Sequence, residues 1–213
     1  MSVALADLVA LLQADVPARD SVPSSAQYER TVKQAVRDLG RRVPLRKRAS
    51  LSIVSGTAAY SLPDDFLRLI KLQASVAVDG VVHTSEGLLP LNSLTAPDAY
   101  DYAINGTTLT FYPTPTFTDI WYVWYAAGYV LSEGSYTDLD DERAEIALLR
   151  AQAQALTLQA NAIAHHAWKY QAGDEAVDKQ KLRAEVEAQA AALQAEYELA
   201  IQTLVGPVGL RGR

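Results

Sequence analysis

Cysteine is absent from this 213-residue chain, so neither a disulfide framework nor thiolate chemistry can contribute. That fits synthesis in a reducing cytoplasm. No apolar run approaches the roughly 20 residues of a membrane span, and no basic stretch precedes the first apolar residues. Neither a bilayer crossing nor a signal peptide is expected.

The patterns that carry chemistry are missing as well. There is no glycine-rich phosphate loop, no zinc-ligand spacing and no Gly-x-Ser-x-Gly elbow. His165 and His166 are adjacent on a predicted helix, about 100° apart, and cannot close together on one metal. Asp64-Asp65 and Asp140-Asp141 are acid pairs of the kind found in turns and caps, with no His or Cys beside them. No catalytic residue, metal site or cofactor is expected, and the chain does not read as an enzyme.

What is present is an ordinary globular composition, 49% hydrophobic and 21% charged. The net charge of −6 conceals a bipolar layout. Residues 1–50 carry nine Lys/Arg against five Asp/Glu, residues 51–137 two against eight, and residues 138–204 six against twelve. Arg211 and Arg213 make the last nine residues basic again. Such a layout suits packing against copies of the chain or against a charged partner.

In chain order, Ser2 is a candidate cap for a first helix to about Ala14, with Leu5, Leu8, Val9 and Leu12 on one stripe. Pro17 and Asp20 to Pro23 break it. Ser24 or Ser25 then caps a second helix carrying Tyr28, Val32, Val36 and Leu39, which Gly40 is expected to stop. Five basic residues in eight follow: Arg41, Arg42, Arg46, Lys47 and Arg48. Without interleaved aromatics or a base-reading helix, this run reads as an exposed linker or a contact to an acidic neighbour.

Strand signals dominate from residue 49. Tyr60 and Leu62 alternate with small residues, Pro63 ends that strand, Asp64-Asp65 turn the chain, and Leu67 to Leu72 restarts it. Asp79-Gly80 marks one hairpin and residues 84–99 read as loop. Asn105-Gly106 marks a second hairpin, with the positive φ angles of a type I′ turn. Eleven of the seventeen aromatics lie between Tyr100 and Tyr136. The strand Trp121-Tyr122-Val123-Trp124-Tyr125 is bulky on both sides and needs cover on both faces, from its own helices or another subunit. Residues 100–137 contain no Lys or Arg, which argues against a base-stacking platform there.

From Asp138 the pattern turns helical. Acids at 138–142 suit a helix N-terminus, followed by an apolar seam of Ile146, Leu149, Ala153, Leu156, Ala160, Ile163 and Ala167. Gly173-Asp174 interrupts it. A second helix carries Leu182, Val186, Ala190, Leu193, Tyr197, Ile201 and Leu204, and Gly206-Pro207 ends it. Eighteen alanines among residues 138–204 favour a close hairpin, and residues 205–213 read as a flexible tail. The expectation is an α+β fold organised as one structural unit. N-terminal helices and a basic linker occupy 1–48, an antiparallel β-rich aromatic region 49–137, a long helical hairpin 138–204, and the tail 205–213.

The segment Gly56-x-x-x-Tyr60-x-Leu62-Pro63-x-Asp65-Phe66, followed by a hydrophobic strand, resembles the head-tail adaptor (connector) proteins of tailed bacteriophages. The likeness extends to Leu109 to Pro115 with Trp121 to Tyr125, and to the acidic segment Tyr136 to Glu142 before long helices. The alanine-rich helices and the Gly/Arg tail depart from the family pattern. The resemblance implies a structural virion protein at the head-tail junction, made in the host bacterial cytoplasm. It implies a self-assembled ring, twelve-fold, docked beneath the portal protein and seating a downstream tail or stopper protein. Genomic DNA would pass through without sequence recognition, and no membrane would be involved. Under it, Arg41, Arg42, Arg46, Lys47, Arg48, Trp121, Trp124, Arg211 and Arg213 are candidates for partner binding, and Asp138, Asp140, Asp141 and Glu142 for lining the channel. The alternative is a helical nucleic-acid-binding or regulatory module that uses the basic run 41–48.

Overall fold

The computed structural model describes residues 2–78, 81–84, 100–169 and 175–205. Of the expected loop at 84–99, Thr84 is strand and the rest lies outside the described residues, as do the expected Asp79-Gly80 turn, the expected Gly173-Asp174 break, Gly206-Pro207 and Arg211 and Arg213. The fold is α+β, with antiparallel strand pairing throughout. It divides into two compact units, one of residues 1–43 with 129–213 and one of Pro44–Gly128.

The first unit is helical. It opens with β1 (Val3–Ala4) and α1 (Leu5–Asp15), followed by α2 (Ser25–Arg42). It resumes with β9 (Leu131–Ser132), β10 (Ser135–Tyr136), α3 (Asp141–Lys169) and α4 (Glu175–Val205). Ser2 does not cap α1. Val3 and Ala4 instead pair with Tyr136 and Ser135, and the Leu5 N–H donates to the Gly134 carbonyl at 2.9 Å, so a strand contact satisfies the helix start. Ser24 does cap α2, in a reciprocal box: the Gln27 N–H donates to Ser24 Oγ at 3.4 Å and the Ser24 N–H to Gln27 Oε1 at 2.6 Å. Gly40 does not stop this helix. It is buried inside it, and α2 runs to Arg42 before Pro44, which disfavours helix at the residue ahead of it.

The apolar seams meet as their spacing dictates. Val186, Ala190, Tyr197 and Ile201 of α4 are buried against α3 and α2, with Leu182, Leu193 and Leu204 half-buried beside them. Along α3 the buried surface is wider than a single seam. Ala147, Ala151 and Ala155 are sealed in addition to Ile146, Ala153, Leu156 and Ala160, because α3 packs on α1 and α2 as well as on α4. Alanine lets helix axes approach closely on more than one side.

The second unit contains β2 (Leu45–Ile53), β3 (Ala59–Ser61), β4 (Phe66–Val78), β5 (Val81–Thr84), β6 (Asp101–Asn105), β7 (Thr108–Tyr112) and β8 (Asp119–Ala127). One sheet has the order β2-β8-β4-β5 and the other β3-β7-β6. Their shared core holds Trp121, Phe111, Leu109, Ile53, Val123 and Tyr60. Trp121 packs edge-on to Phe111, with ring centroids 5.2 Å apart.

The 105–106 turn differs from the expectation. Asn105 pairs with Thr108, so the two-residue loop is Gly106-Thr107, and only Gly106 there has positive φ, +60°. Glycine at the first central position, with a normal φ following, is the pattern of a type II′ turn.

Candidate partner interface

The family-like segment 56–66 forms a structural corner of the second unit. Tyr60 Oη accepts from the Val54 N–H at 3.0 Å and donates to the Thr57 carbonyl at 2.9 Å, which pins the loop ahead of β3. Leu62 is buried, and the Phe66 N–H closes on the Pro63 carbonyl at 3.0 Å. The Asp65 carboxylate accepts from Lys47 Nζ at 2.8 Å and from the Tyr125 hydroxyl at 2.9 Å, linking β2 to β8. Tyr60, Leu62, Pro63, Asp65 and Phe66 thus serve to hold the corner together, and the exposed rings and cations lie on the sheet faces.

The sheet register sorts the expected partner-binding residues. On β8, Trp121, Val123, Tyr125 and Ala127 face the core, while Ile120, Tyr122, Trp124 and Ala126 alternate to the other side, where Ile120 and Trp124 are exposed, Tyr122 is half-buried and Ala126 is buried. Direct antiparallel partners share a face, so Arg46 (opposite Ala126) and Arg48 (opposite Trp124) join the outer side. Lys47 sits opposite Tyr125 and goes to the inner side, where it meets Asp65.

The other neighbour, β4, carries two β-bulges. Leu67 and Arg68 together oppose Ala126, and Ile70 and Lys71 together oppose Trp124. All four are exposed, while Phe66, Leu69 and Leu72 turn to the core. The result is an outer face with Tyr122 and Trp124 on its central strand, Arg46 and Arg48 on one side, and Arg68 and Lys71 on the other. The Arg48 guanidinium lies 4.7 Å from the centre of the Tyr122 ring and 5.6 Å from that of Trp124. Trp124 Nε1–H donates to Gln73 Oε1 at 3.3 Å, which fixes the indole on the sheet. Trp124 is 37% exposed, and Ile70 and Ile120 about half exposed at 51% and 50%. Positions 46, 48, 50 and 52 of β2, 120, 122, 124 and 126 of β8, and 67, 68, 70, 71 and 73 of β4 include no carboxylate.

Of the nine residues expected to bind a partner, this face therefore unites Arg46, Arg48 and Trp124. Trp121 is fully buried on the opposite side of the same strand. Arg41 is exposed in the last turn of α2, and Arg42 bonds Glu198 of α4 at 2.5 Å. Tyr122, Arg68 and Lys71 escaped the sequence reading. Along the chain no cation neighbours the aromatic strand, whereas four stand across the sheet on β2 and β4.

The acids expected to line a channel split in two. Asp140 caps α3: its Oδ1 accepts the Arg143 N–H at 2.8 Å and its other oxygen the Arg143 guanidinium. Asp138, Asp141 and Glu142 are exposed. Among the described residues, no three His, Asp or Glu side chains are grouped as a metal ion would need, and no helix is long and apolar enough to cross a membrane.

A family model described as SU10 adaptor protein matches residues 3–210. No curated protein matches the chain.

Proposed function

The chain belongs to the SU10 adaptor protein family, and from that premise we propose that it forms a ring beneath the portal, extends the DNA channel and joins head to tail. As a phage adaptor it is a structural virion component that meets other head or tail proteins. The observation that carries the finer reading is the extent of the family match, which spans both units and not only the 56–66 corner.

The outward side of α4 supports self-association. Ala184, Ala188, Ala191, Ala192, Ala195 and Leu199 form one exposed stripe, Leu199 at 64% exposure. In an isolated chain this apolar stripe is unpaired, and against a neighbouring copy its small side chains permit close helix contact. The ring is read as twelve-fold, with the C-terminal segment toward the portal and a downstream tail or stopper protein on the other side. The exposed acids Asp138, Asp141 and Glu142 face the passing DNA in this reading, where their charge repels phosphates and lets the genome slide.

The test is sedimentation of the full chain, alone and with the portal protein encoded in the same genome. Co-sedimentation at a fixed ratio per portal subunit is expected, whether or not the free chain is a monomer. A compact monomer that never associates, at any salt concentration, overturns the ring.

A further inference from the structure

The outer face of the β2-β8-β4 sheet combines three features that together suit a ligand. Two aromatic rings, Tyr122 and Trp124, stand two positions apart on the central strand, which sets them about 7 Å apart along it. Four cations flank them from both neighbouring strands, across a width of about 10 Å. No acid interrupts them, in a chain whose net charge is −6.

From this we infer that the face binds single-stranded nucleic acid, with bases on Tyr122 and Trp124 and the backbone on Arg46, Arg48, Arg68 and Lys71. Stacking needs rings that are exposed yet held in place. Trp124 meets both conditions through its 37% exposure and its hydrogen bond to Gln73. The faces of both rings already accept the planar Arg48 guanidinium. A base taking over that contact releases the cation to a phosphate. Ile70 and Ile120, exposed at the margins, offer apolar contact to sugars.

A duplex hides its base faces and would leave the two rings unused, so unpaired strands fit the face better. An acidic polypeptide would satisfy the cations but gains nothing from ring spacing. The inference does not rest on the ring: binding and portal association are read in separate experiments, and either can fail alone.

The experiment titrates the full chain with a fluorescein-labelled dT12 oligonucleotide at several salt concentrations, beside a duplex of equal length and poly-glutamate as competitor. Binding to dT12 is expected, with the logarithm of affinity falling against the logarithm of salt at a slope of about −3 for four phosphate contacts. Arg48→Gln with Lys71→Gln should flatten that slope by about 1.4. Trp124→Leu should cost roughly tenfold with the slope unchanged, because it removes stacking and no charge. These side chains are exposed, so an unaltered circular-dichroism spectrum is expected of each variant. No binding at 50 mM salt overturns the inference. So does binding that survives Arg48→Gln/Lys71→Gln, duplex affinity equal to that for dT12 and indifferent to Trp124→Leu, or equal displacement by poly-glutamate.

Discussion

The Tyr197 phenol donates a 2.9 Å hydrogen bond to the Asp38 carboxylate, joining the C-terminal third of α4 to α2. Arg42 and Arg150 flank the same ring at 5.5 and 5.9 Å, and both lie within 4 Å of that carboxylate. One aromatic side chain thereby ties three helices. Tyr197→Phe keeps the ring and its packing and removes only the hydroxyl, so it should destabilise the helical unit by about 1–2 kcal/mol. Urea unfolding followed by helical circular dichroism measures this, and a loss below 0.3 kcal/mol, on the order of a neutral surface change, would mean that water replaces the bond.

The same residue sets an alkaline limit. Burial, then the bond to Asp38, holds the Tyr197 phenol well above its usual range. Burial also raises Tyr28, Tyr129 and Tyr136. A raised folded pKa means that the folded state keeps its proton while the unfolded chain loses it. Stability is therefore complete below about pH 10 and falls as pH climbs through the folded values, by at most about 1.4 kcal/mol per pH unit per tyrosine. Absorbance at 295 nm should show these phenols ionising together with unfolding. Tyr197→Phe should make the decline shallower.

How much of this was legible in the sequence depended on whether the pattern lay along the chain or across it. The α4 seam was readable because Val186, Ala190, Tyr197 and Ile201 recur at helical spacing and are buried as that spacing requires. The outer sheet face was not. Phe66, Leu69 and Leu72 step by three, a rhythm foreign to a strand, because two bulges each insert a residue. The same bulges bring Arg68 and Lys71, of opposite parity, to one side. Nothing local announces a bulge, and nothing local pairs either residue with Trp124, more than fifty positions away. Gly40 misled for a related reason: a glycine that marks a helix end by propensity serves here inside the packed face of α2.

Asp65 should behave as a keystone of the sheet corner and not as a chemical group. Asp65→Ala removes the acceptor of both Lys47 and Tyr125. Lys47 is 31% exposed at its side chain and can regain water, so the loss should be modest, about 1–2 kcal/mol. Asp65→Asn, which still accepts from Tyr125, should cost less. Urea unfolding followed by near-ultraviolet circular dichroism, to which the buried Trp121 and its aromatic neighbours contribute, measures both losses.

Asp140 separates helix capping from any channel role. Asp140→Ala should destabilise α3 by about 1 kcal/mol, since the Arg143 N–H loses its cap. Asp138→Lys, Asp141→Lys and Glu142→Lys combined should alter stability less per residue yet slow DNA ejection from assembled particles, because cations there hold phosphates in place of repelling them. Unchanged DNA retention and ejection would remove these acids from the lumen.

The exposed alanine stripe of α4 gives the sharpest test of assembly through that helix. Ala192→Arg changes helix propensity little, and at an exposed position it should shift monomer stability by no more than about 0.5 kcal/mol. Against a neighbouring copy the same substitution forces a long charged side chain into a contact shaped for methyl groups. Portal co-sedimentation should then fall below full occupancy or vanish, while the monomer's melting curve stays in place. Gln189→Ala, at an exposed position of α4 roughly 100° round the helix from the middle of the stripe, is the control and should assemble normally. If Ala192→Arg rings form at normal occupancy, copies meet through another surface, and the apolar side of α4 would face solvent in the virion.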